Sequence, residues 1–587
     1  MKYRGEKRPM LMHKSQGKYQ GISFAEVQSS VQKFSTGLAV LGVRRGDHVA
    51  IISENRPEWV IGDFAVMHLG AVTISIFPTL TPKQIEFILN DSGTTMVIVS
   101  NQFQLGKVLK ISENVPSLQK IITMVDNEMQ NDKRVLTFNQ VVSMGENNLS
   151  TYAGLLEDEL RKTKPEDLLT LIYTSGTTGD PKGVMLTHSN MVSNIKAALE
   201  CVPFGDQDLL LSFLPLSHSF ERMAGYYTAI ASGATVAYAE SVETVRDNLL
   251  EVRPTVMAAV PRLFERIYMR VQKQIEAMPP LRRKIFDWAI ETGKTYARAR
   301  RTGTDSIILN LKHRIADKLV YSKLKERTGG KIRFFVSGGA ALAKEFGEFF
   351  EAVGMQIIEG YGLTETSPVI SVNRLNDYKF GTVGKPIPGV KVKIAEDGEI
   401  LVQGPNVMKG YWNNKRATDE VIDQLGWFHT GDIGMFDDDG FLVITDRKKN
   451  IFVSSGGKNI APQPIENLLL QSKFIDQCIL VGDGRMFLTA LIVPYIDVLK
   501  EYAHLNDIKY SDENDLVKSE GIYQAIENDI NKLQVDLASY ERVRKFTLLK
   551  KPFTIENGEL TPTLKIRRKV VEEKFKASVE KMYEMRS

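Results

Sequence analysis

The sequence predicts an α/β protein, with a large N-terminal domain built on parallel sheet and a small α+β domain behind it. Short apolar runs closed by turn residues alternate with helical patterns through the first 440 residues. The clearest runs are residues 94–100, 167–175, 255–260 and 332–338. Buried parallel strands have such continuous apolar sequences, because helices cover both faces of a parallel sheet. At 587 residues the chain is also too long for a single core.

The helical patterns are equally regular after the last of these runs. Phe346, Phe349, Phe350 and Val353 recur at helical spacing and are followed by Gly354, a residue that commonly ends a helix. A strand followed by such a helix predicts βαβ units. Ligands of this architecture bind in the loops at the carboxyl ends of the strands.

The pattern changes near residue 381 to alternating segments that turn at Asp397–Gly398 and Asp439–Gly440. Such Asp-Gly turns between alternating segments predict hairpins. We expect them to form a small β-barrel-like part of the first domain.

The charged segment DRKKN, residues 446–450, separates two apolar runs and predicts a joint between residues 1–445 and 451–587. The second domain is predicted to hold strands near residues 476–482 and 486–494. A final amphipathic helix is expected from about Ile566.

Composition excludes several classes of protein. Hydrophobic residues make up 43% and charged residues 25%, and 75 basic against 71 acidic side chains give a net charge of only +4. This balance does not favour nucleic acid as a partner. Cys201 and Cys478 lack metal-ligand spacing, which favours buried thiols in a reducing compartment. The N-terminus lacks the pattern of a signal peptide, and residues 64–80 are too short to span a membrane, so we expect a cytoplasmic protein.

Residues 173–188, YTSGTTGDPKGVMLTH, follow a buried strand and are rich in glycines and hydroxyls. Backbone N–H groups and hydroxyls in such a loop can cradle a polyphosphate, and Lys182 adds charge. The spacing is not that of a Walker loop, because Lys182 is followed by Gly183 rather than preceded by glycine and followed by Ser or Thr.

Residues 174–183 resemble the signature loop of the AMP-forming adenylating enzymes, which include acyl-CoA synthetases, nonribosomal adenylation domains and beetle luciferases. Further segments resemble the remaining motifs of that family in the right order. They are SGGAAL (337–342), EGYGLTETSP (359–368), GWFHTGD (426–432), SSGGKNIAP (454–462) and LTPTLKIRRK (560–569). The resemblance covers nearly the whole chain.

The resemblance implies roles for individual residues. Those implied to contact ATP or CoA are Thr174, Ser175, Gly176, Thr177, Thr178, Gly179, Lys182, Gly338, Gly339, Ala340, Glu359, Gly360, Tyr361, Gly362, Asp432, Arg447, Gly456, Gly457 and Lys458. Tyr361 would stack on adenine and Asp432 would bind the ribose hydroxyls. Thr174 and Glu365 would bind Mg²⁺, and Thr364 would contact the α-phosphate.

The resemblance also implies a two-step reaction. A carboxylate attacks the α-phosphorus of ATP to give an acyl-adenylate and pyrophosphate, and a thiol then takes the acyl group and releases AMP. A cation near the α-phosphate stabilises the first transition state. The family takes it from a lysine of a mobile C-terminal domain, here Lys565. Many members have glycine before this lysine where this chain has Leu564, so Lys569 and Arg567 remain alternatives.

Lys449 matches the position about which the small domain of the family rotates, and residues 454–462 match the loop brought to the active site for thioester formation. A polar linker without hinge function is the alternative for 446–450. An intact GGKNIAP segment favours CoA as acceptor.

The sequence specifies the carboxylic acid substrate less closely than it specifies the nucleotide. LPLSHSFERMAGYY, residues 214–227, resembles the block lining the acyl pocket; His218 occupies a family position there, and a core histidine is the alternative. Some long-chain members have a gating tryptophan where this chain has Arg222. About sixty residues of helical character lie between residues 268 and 332, an insertion that resembles long-chain acyl-CoA synthetases.

The sequence therefore predicts a long-chain fatty acid–CoA ligase using ATP, Mg²⁺ and CoA. A medium-chain or aromatic acid–CoA ligase and an acyl-AMP ligase serving a carrier protein are the enzymatic alternatives, and a nucleotide-binding regulatory protein is the non-enzymatic one. Oligomeric state is left open.

The insertion is basic around Phe286, Trp288 and Ile290, which suggests peripheral contact with the inner membrane surface; a solvated surface helix is the alternative. Its basic residues are Arg282, Arg283, Lys284, Lys294, Arg298, Arg300 and Arg301.

Overall fold

The computed structural model describes residues 5–125, 132–174, 181–304, 306–455, 458–554, 557–561 and 566–584. Within them, the strands are β1 (Pro9–Ser15), β2 (Lys18–Ser23), β3 (His48–Ile52), β4 (Val72–Ile76), β5 (Met96–Val99), β6 (Lys120–Thr123), β7 (Val135–Thr137), β8 (Leu168–Thr174), β9 (Lys182–Thr187), β10 (Leu209–Ser212), β11 (Thr235–Tyr238), β12 (Val256–Ala259), β13 (Phe334–Ser337), β14 (Gln356–Gly362), β15 (Val369–Val372), β16 (Lys385–Pro386), β17 (Lys391–Ile394), β18 (Glu399–Gln403), β19 (Gly410–Tyr411), β20 (Phe428–Phe436), β21 (Leu442–Arg447), β22 (Phe452–Val453), β23 (Asn459–Ile460), β24 (Ile475–Val481), β25 (Leu488–Pro494) and β26 (Val543–Leu548).

The α-helices of the same residues are α1 (Phe24–Val40), α2 (Pro57–His68), α3 (Pro82–Ser92), α4 (Gln102–Ile111), α5 (Phe138–Lys162), α6 (His188–Cys201), α7 (Thr228–Ser232), α8 (Val245–Val252), α9 (Pro261–Glu276), α10 (Pro280–Thr302), α11 (Ile307–Ala316), α12 (Ser322–Glu326), α13 (Lys344–Ala352), α14 (Lys415–Asp419), α15 (Pro462–Leu469), α16 (Ile496–Leu505), α17 (Glu513–Leu516), α18 (Glu520–Leu533), α19 (Arg568–Lys574) and α20 (Lys576–Glu584).

The chain divides into two compact units. The first comprises residues 1–393, 401–430 and 440–442, and the second comprises residues 394–400, 431–439 and 443–587. A division at residues 446–450 therefore stays a prediction. The predicted fold class, a large α/β part with a smaller α+β part, is confirmed.

Two large sheets form the first unit. One has the strand order β19-β9-β8-β4-β3-β5-β6-β7, and the other has the order β16-β15-β14-β13-β12-β10-β11-β1-β2. The central strands of both sheets are parallel, as predicted. Each sheet has antiparallel strands towards one edge, where β9 pairs with β8 and β15 pairs with β14, whereas the opposite edge of the first sheet stays parallel through β6 and β7.

The central strands are buried along their whole length, which explains their continuous apolar sequences. Every residue of β3, β4, β5, β12 and β13 is buried. Short-range capping fixes where several helices begin. Thr187 accepts a hydrogen bond from the backbone N–H of Asn190, whose side chain accepts one in return from the Thr187 N–H, and this reciprocal pair starts α6.

The predicted hairpins lie in a four-stranded sheet of order β17-β18-β20-β21. Asp397–Gly398 makes one turn, in which the Gly398 N–H donates to the Ala395 carbonyl oxygen at 2.9 Å.

The second unit is built around the sheet β24-β25-β26. Strand β25 is buried throughout, and helices α15, α16 and α18 cover one face of the sheet through an apolar core. The C-terminal helices α19 and α20 contribute to a second apolar cluster against β24 and β25. The final helix expected from about Ile566 is divided in the structure into α19 and α20, with Phe575 between them.

The segment between residues 268 and 332 is mainly helical, as predicted, and comprises the end of α9 and the helices α10 to α12. Helix α2 and strand β4 account for the apolar stretch around residue 70. Among the described residues, no helix combines the length and the apolar character that crossing a membrane requires. Cys201 and Cys478 are both buried.

Candidate active site

The glycine- and hydroxyl-rich loop connects β8 to β9. Thr174 ends β8 and lies opposite Lys182, the first residue of β9, in the antiparallel ladder. The predicted contacts at Ser175, Gly176, Thr177, Thr178 and Gly179 fall outside the described residues. Strand β9, which pairs antiparallel with β8, was not among the predicted strands. The hairpin brings Thr174 and Lys182 side by side at the end of a buried strand.

Tyr411 connects Lys182 to Glu365, and sequence reasoning missed it. The Lys182 Nζ lies 5.0 Å from the centre of the Tyr411 ring, and the Tyr411 hydroxyl donates to Glu365 Oε1 at 2.8 Å. Burial, followed by the charge of Glu365, raises the pKa of Tyr411, so the phenol stays protonated and acts as donor. The side chain of Glu365 is thereby held in place from a strand 46 residues further along the chain.

Thr364 and Glu365 lie in a tight 3₁₀ turn after β14. A Cβ on Gly362 would lie 1.7 Å from the Pro368 carbonyl oxygen, so only glycine permits this return of the chain. Thr366 is buried and donates to the same oxygen at 2.6 Å. The contacts of Gly362 and Thr366 with Pro368 therefore fix the backbone of the turn, and the side chains of Thr364 and Glu365 remain half-buried.

The acyl-pocket block meets this turn directly. Ser219 Oγ and Thr364 Oγ1 are 3.2 Å apart, which places the residue after His218 against the predicted α-phosphate contact. The Phe220 N–H donates to His218 Nδ1 at 3.2 Å, so a neutral imidazole carries its proton on Nε2. His218 is half-buried and directly precedes Ser219, which contacts Thr364, and its role in an acyl pocket stays a prediction.

The segment Gly338–Gly339–Ala340 follows β13 at the carboxyl edge of the second large sheet. Gly338 is buried, and a Cβ there would come within 3.0 Å of the Phe220 ring. Gly339 has φ +85°, a left-handed conformation that favours glycine, and it is exposed together with Ala340. The segment offers an accessible backbone surface for a flat ligand such as a base.

Glu359, Gly360 and Tyr361 belong to β14, whose parallel pairing sets Ser337 opposite Glu359. Tyr361 is half-buried. Glu359 is almost fully buried and accepts a hydrogen bond from the Leu342 N–H at 3.4 Å. Burial raises the pKa of Glu359 to about 8, so this carboxyl is protonated at neutral pH and does not repel phosphate.

Arg222, at the position of a gating tryptophan in some family members, is fully buried and bound to Asp63. Its guanidinium donates to Asp63, to Thr170 Oγ1 at 2.7 Å and to the Tyr227 hydroxyl at 3.1 Å. The Tyr227 hydroxyl itself donates to Asp63 at 2.6 Å. This network ties the segment Glu221–Tyr227, a π-helix, to α2 and β8. The structure therefore gives Arg222 a place in the core and not a gate.

Asp432 and Arg447, which belong to the second unit, form an ion pair. Arg447 Nε lies 3.2 Å from Asp432 Oδ1; the aspartate side chain is 6% exposed and that of the arginine is 49% exposed. An accessible cation beside a positioned carboxylate can contact hydroxyl groups of a sugar. Lys449 is exposed in a 3₁₀ turn, Lys448–Asn450, directly after β21.

Lys448, next to the predicted hinge residue, is held in two ion pairs. Its Nζ lies 2.6 Å from Asp397 and 3.0 Å from Glu399. The sequence predicted a charged joint at residues 446–450, with a polar linker as the alternative, and did not distinguish Lys448 from Lys449. The pairing distinguishes an anchored Lys448 from its exposed neighbour.

Lys458 lies in a small hairpin of β22 and β23. Its N–H donates to Ser454 Oγ at 3.0 Å, and the Ser454 N–H donates to the Lys458 carbonyl at 2.9 Å. Gly456, Gly457 and Lys565 lie outside the described residues. The structure does describe the two alternatives to Lys565, and both Arg567 and Lys569 are exposed.

The donor set fits Mg²⁺. Magnesium prefers oxygen ligands and is usually held by one or two carboxylates, with phosphate and water oxygens completing the shell. Glu365 offers one positioned carboxylate and Thr174 one hydroxyl. Over the part of the chain that the structure describes, no group of three or more His, Cys, Asp and Glu residues forms a metal cluster.

Comparison with family models gives the class of protein. Residues 3–412 match the AMP-binding enzyme family, and residues 449–587 match the AMP-binding enzyme C-terminal domain. The chain belongs to the AMP-binding enzyme family.

Curated relatives match almost the full length. The chain is 37% identical over 570 residues to the long-chain-fatty-acid–CoA ligase FadD15 of Mycobacterium bovis, covering 97% of this chain and 93% of that protein. It is 34% identical over 600 residues to the long-chain-fatty-acid–CoA ligase 5 of Mus musculus, covering 96% and 84%.

Solved structures share the fold at lower identity. The anthranilate CoA ligase AuaEII in complex with anthranoyl-AMP has a TM-score of 0.73 at 20% identity, covering 98% of this chain and 95% of that one. The O-succinylbenzoate CoA synthetase of Bacillus subtilis in complex with ATP and magnesium has a TM-score of 0.66 at 22% identity, covering 96% of each chain.

Proposed function

We propose that this protein activates a long-chain fatty acid with ATP, through an acyl-adenylate, and transfers the acyl group to CoA. The products are acyl-CoA, AMP and pyrophosphate. The observation that carries this proposal is 37% identity over 97% of the chain to a long-chain-fatty-acid–CoA ligase. ATP, Mg²⁺ and CoA serve the reaction, in keeping with the family.

In the first step, a carboxylate oxygen attacks the α-phosphorus and the bond to the pyrophosphate oxygen breaks. We assign Thr364 to hold an α-phosphate oxygen, because its hydroxyl is half-buried and positioned beside the acyl block. Lys182, fixed over Tyr411, adds positive charge near the phosphates. Glu365 and Thr174 would hold Mg²⁺, which would neutralise phosphate charge when bound.

The remaining nucleotide contacts follow the motifs. Tyr361 stacks on adenine beside the exposed backbone of Gly339 and Ala340, while Asp432 accepts the ribose hydroxyls and Arg447 supports it. Lys565 supplies the cation that stabilises charge developing on the α-phosphoryl oxygens.

In the second step, the thiolate of CoA attacks the acyl carbon and AMP leaves. We propose that the C-terminal domain turns about Lys449, so that Lys565 withdraws and the segment of Gly456, Gly457 and Lys458 approaches. His218 lines the acyl pocket at the reacting end. Separate domain arrangements for the two steps explain why two loops of one small domain are both needed.

The preference for a long chain has physical support. Helices α9 to α12 add an insertion whose counterpart is associated with long-chain members. Burying each methylene yields about 0.8 kcal/mol, so a long tunnel would favour a sixteen-carbon acid over acetate by roughly 10 kcal/mol at most.

A series of acids tests the proposal. AMP release would be measured with ATP, Mg²⁺ and CoA for hexadecanoate, octanoate and benzoate, with thioester formation followed in parallel. We expect kcat/KM for hexadecanoate to exceed that for octanoate by about tenfold or more. Higher activity on octanoate or benzoate would favour the medium-chain or aromatic alternative. Release of pyrophosphate with accumulation of acyl-adenylate and no consumption of CoA would favour an acyl-AMP ligase that serves a carrier protein. Release of neither pyrophosphate nor AMP with any acid would favour a regulatory nucleotide-binding protein.

We also propose peripheral contact with a membrane surface, where long-chain fatty acids partition. The supporting observation is the basic, partly apolar helical insertion. Sedimentation of the purified protein with anionic vesicles tests it, and recovery of all protein in the supernatant would contradict it.

A further inference from the structure

Helix α11 and the π-helical turn after it, Asp317–Tyr321, carry a stripe of exposed aliphatic side chains. The exposed fractions are 88% for Ile307, 69% for Ile308, 59% for Leu311, 46% for Ile315 and 44% for Leu319. Four of these five residues follow one another at intervals of four, and Ile308 lies beside them, so the stripe occupies one face of the helix. Aliphatic residues usually form the inward face of a surface helix, and here they point outward.

The opposite face of the helix is already packed on the protein. His313 stacks on Tyr296 with ring centres 3.8 Å apart, and Ala316 is completely buried. Tyr321 is also buried and donates to the Ala289 carbonyl oxygen of α10. The exposed stripe therefore belongs to a helix that is already docked, and not to a segment that lacks a place in the fold.

Basic side chains flank the stripe. Lys312, Arg314, Lys318 and Lys323 are exposed, and among the described ion pairs none involves them. Asp317 is the one acidic residue between positions 306 and 323, and it pairs with Lys325 at 2.9 Å. Apolar side chains bordered by uncompensated lysine and arginine are the composition of helices that lie in the interface of an anionic bilayer.

Helix α10, which carries much of the basic charge noted in the sequence, uses its apolar residues differently. Phe286 and Ala289 are buried, and only the large apolar side chains of Leu281 and Trp288 are substantially exposed on that helix. Most of the large apolar side chains that the insertion exposes to solvent therefore lie on α11 and the turn after it.

We propose that the face formed by Ile307, Ile308, Leu311, Ile315 and Leu319, with its flanking lysines and arginine, docks the protein on an anionic lipid bilayer. A second copy of the chain fits this face less well, since a symmetric dimer through α11 would bring the same basic side chains together. The apolar side chains enter the headgroup region and the basic ones contact lipid phosphates. Binding to the bilayer does not require the protein to be an active enzyme. Only the idea that docking serves the uptake of fatty acid from the bilayer rests on the proposed function.

Vesicle sedimentation tests the surface. The full-length protein is mixed with vesicles of phosphatidylcholine containing phosphatidylglycerol, and with phosphatidylcholine alone. We expect the double variant Ile308→Glu/Leu311→Glu to lose about tenfold or more of its partition onto the anionic vesicles. Leu425→Glu is the matched control, since Leu425 is 74% exposed and lies outside the insertion, and it should bind like the wild type.

A second measurement does not depend on losing binding. Leu311→Trp should show a blue-shifted emission when anionic vesicles are added, whereas Leu425→Trp should not. Lys312→Ala/Lys318→Ala should weaken binding most at low salt, because the lipid charge is screened at high salt.

Three results would overturn the proposal. Wild-type partition by the double glutamate variant, with an unchanged melting temperature, would place the contact elsewhere. Equal binding to both kinds of vesicle would remove the role of the basic flank. A concentration-dependent dimer that the double variant abolishes would make a second copy the occupant. Activity of the double glutamate variant on soluble octanoate separates a failure of docking from a failure of the ligase function. A variant that has lost only membrane docking should keep this activity.

Discussion

Arg222 and Arg447 each bind an aspartate, but in opposite surroundings. Arg222 and Asp63 are both 0% exposed, whereas Arg447 is 49% exposed beside a largely covered Asp432. A buried pair cannot meet a ligand, and loss of either partner leaves an uncompensated charge in the core. An exposed pair adds little to stability and remains open to a bound sugar. Burial thus separates a structural pair from one that can serve a ligand.

The largest expected effect is on the buried pair. Asp63→Ala should lower the free energy of unfolding by about 3–5 kcal/mol, because Arg222 is left buried without its carboxylate. Urea denaturation of the full chain measures this change. Arg447→Ala is the comparison and should change stability by about 1 kcal/mol or less. Equal losses in the two variants would show that burial does not distinguish the pairs.

The next largest effect is expected at the C-terminal motif, where Lys565 is predicted to act on the reaction and not on stability. Lys565→Ala should reduce fatty-acid-dependent pyrophosphate exchange by about 10²–10³-fold, since the cation acts on the transition state of the first step. CoA transfer from supplied acyl-adenylate should remain near wild type.

Two neighbours serve as controls for Lys565. Lys569→Ala, which removes an exposed charge, should keep both half-reactions. Arg568→Ala should instead destabilise the fold, because Arg568 is bound to Glu466 at 2.7 Å and to the Leu480 carbonyl oxygen. Loss of exchange in Lys569→Ala but not in Lys565→Ala would reassign the catalytic cation.

A buried carboxyl beside the Arg222 network should make stability depend on pH. Glu221 is fully buried, and its burial raises its pKa to about 8. Because the folded-state pKa is above the unfolded value, its contribution to stability is fully present below about pH 4.3 and is lost as pH rises towards 8. Relative to Glu221→Gln, wild type should lose up to about 1.4 kcal/mol per pH unit in that window.

Denaturation of both proteins at pH 5, 6.5 and 8 measures the difference. Glu58→Gln is a control, because Glu58 is partly exposed and paired with Arg56 at 2.8 Å. A constant difference between wild type and Glu221→Gln across this range would contradict the prediction.

The smallest expected effect concerns the exposed pair as a ligand site. Arg447→Ala should raise the KM for ATP by about tenfold, as removal of one charge-assisted hydrogen bond does. Lys448→Ala is the neighbouring control, since Lys448 is engaged with Asp397 and Glu399, and its KM for ATP should stay near wild type. An unchanged KM in Arg447→Ala would remove this residue from the ribose site.

Much of the fold was predictable because it depends on local patterns. The buried runs became β5, β8, β12 and β13, and the phenylalanine periodicity became α13. Strand β9 escaped prediction, because its sequence lacks a clear alternating pattern and its pairing with β8 is a tertiary contact. The break between α19 and α20 likewise has no signal such as proline or glycine at Phe575.

Some residues of the candidate site were also predictable from local sequence, and others were not. Motifs nominated Thr364, Glu365 and Lys182 from short segments, whereas Tyr411 had no motif to mark it. A tyrosine next to tryptophan in the segment KGYW would have been the available signal. Several nominated residues, including Lys565, remain predictions about segments outside the described residues.

By itself, the sequence determined the class of fold and the residue types available to a nucleotide, because periodicity and short motifs act over a few neighbouring positions. Only the tertiary structure decided that Arg222 reaches Asp63 across 159 residues and that Tyr411 holds Glu365. It also decided that α11 turns a stripe of aliphatic side chains to solvent, whereas α10 buries Phe286 and Ala289. Which face of an element is covered depends on distant partners, and a local pattern carries no information about them.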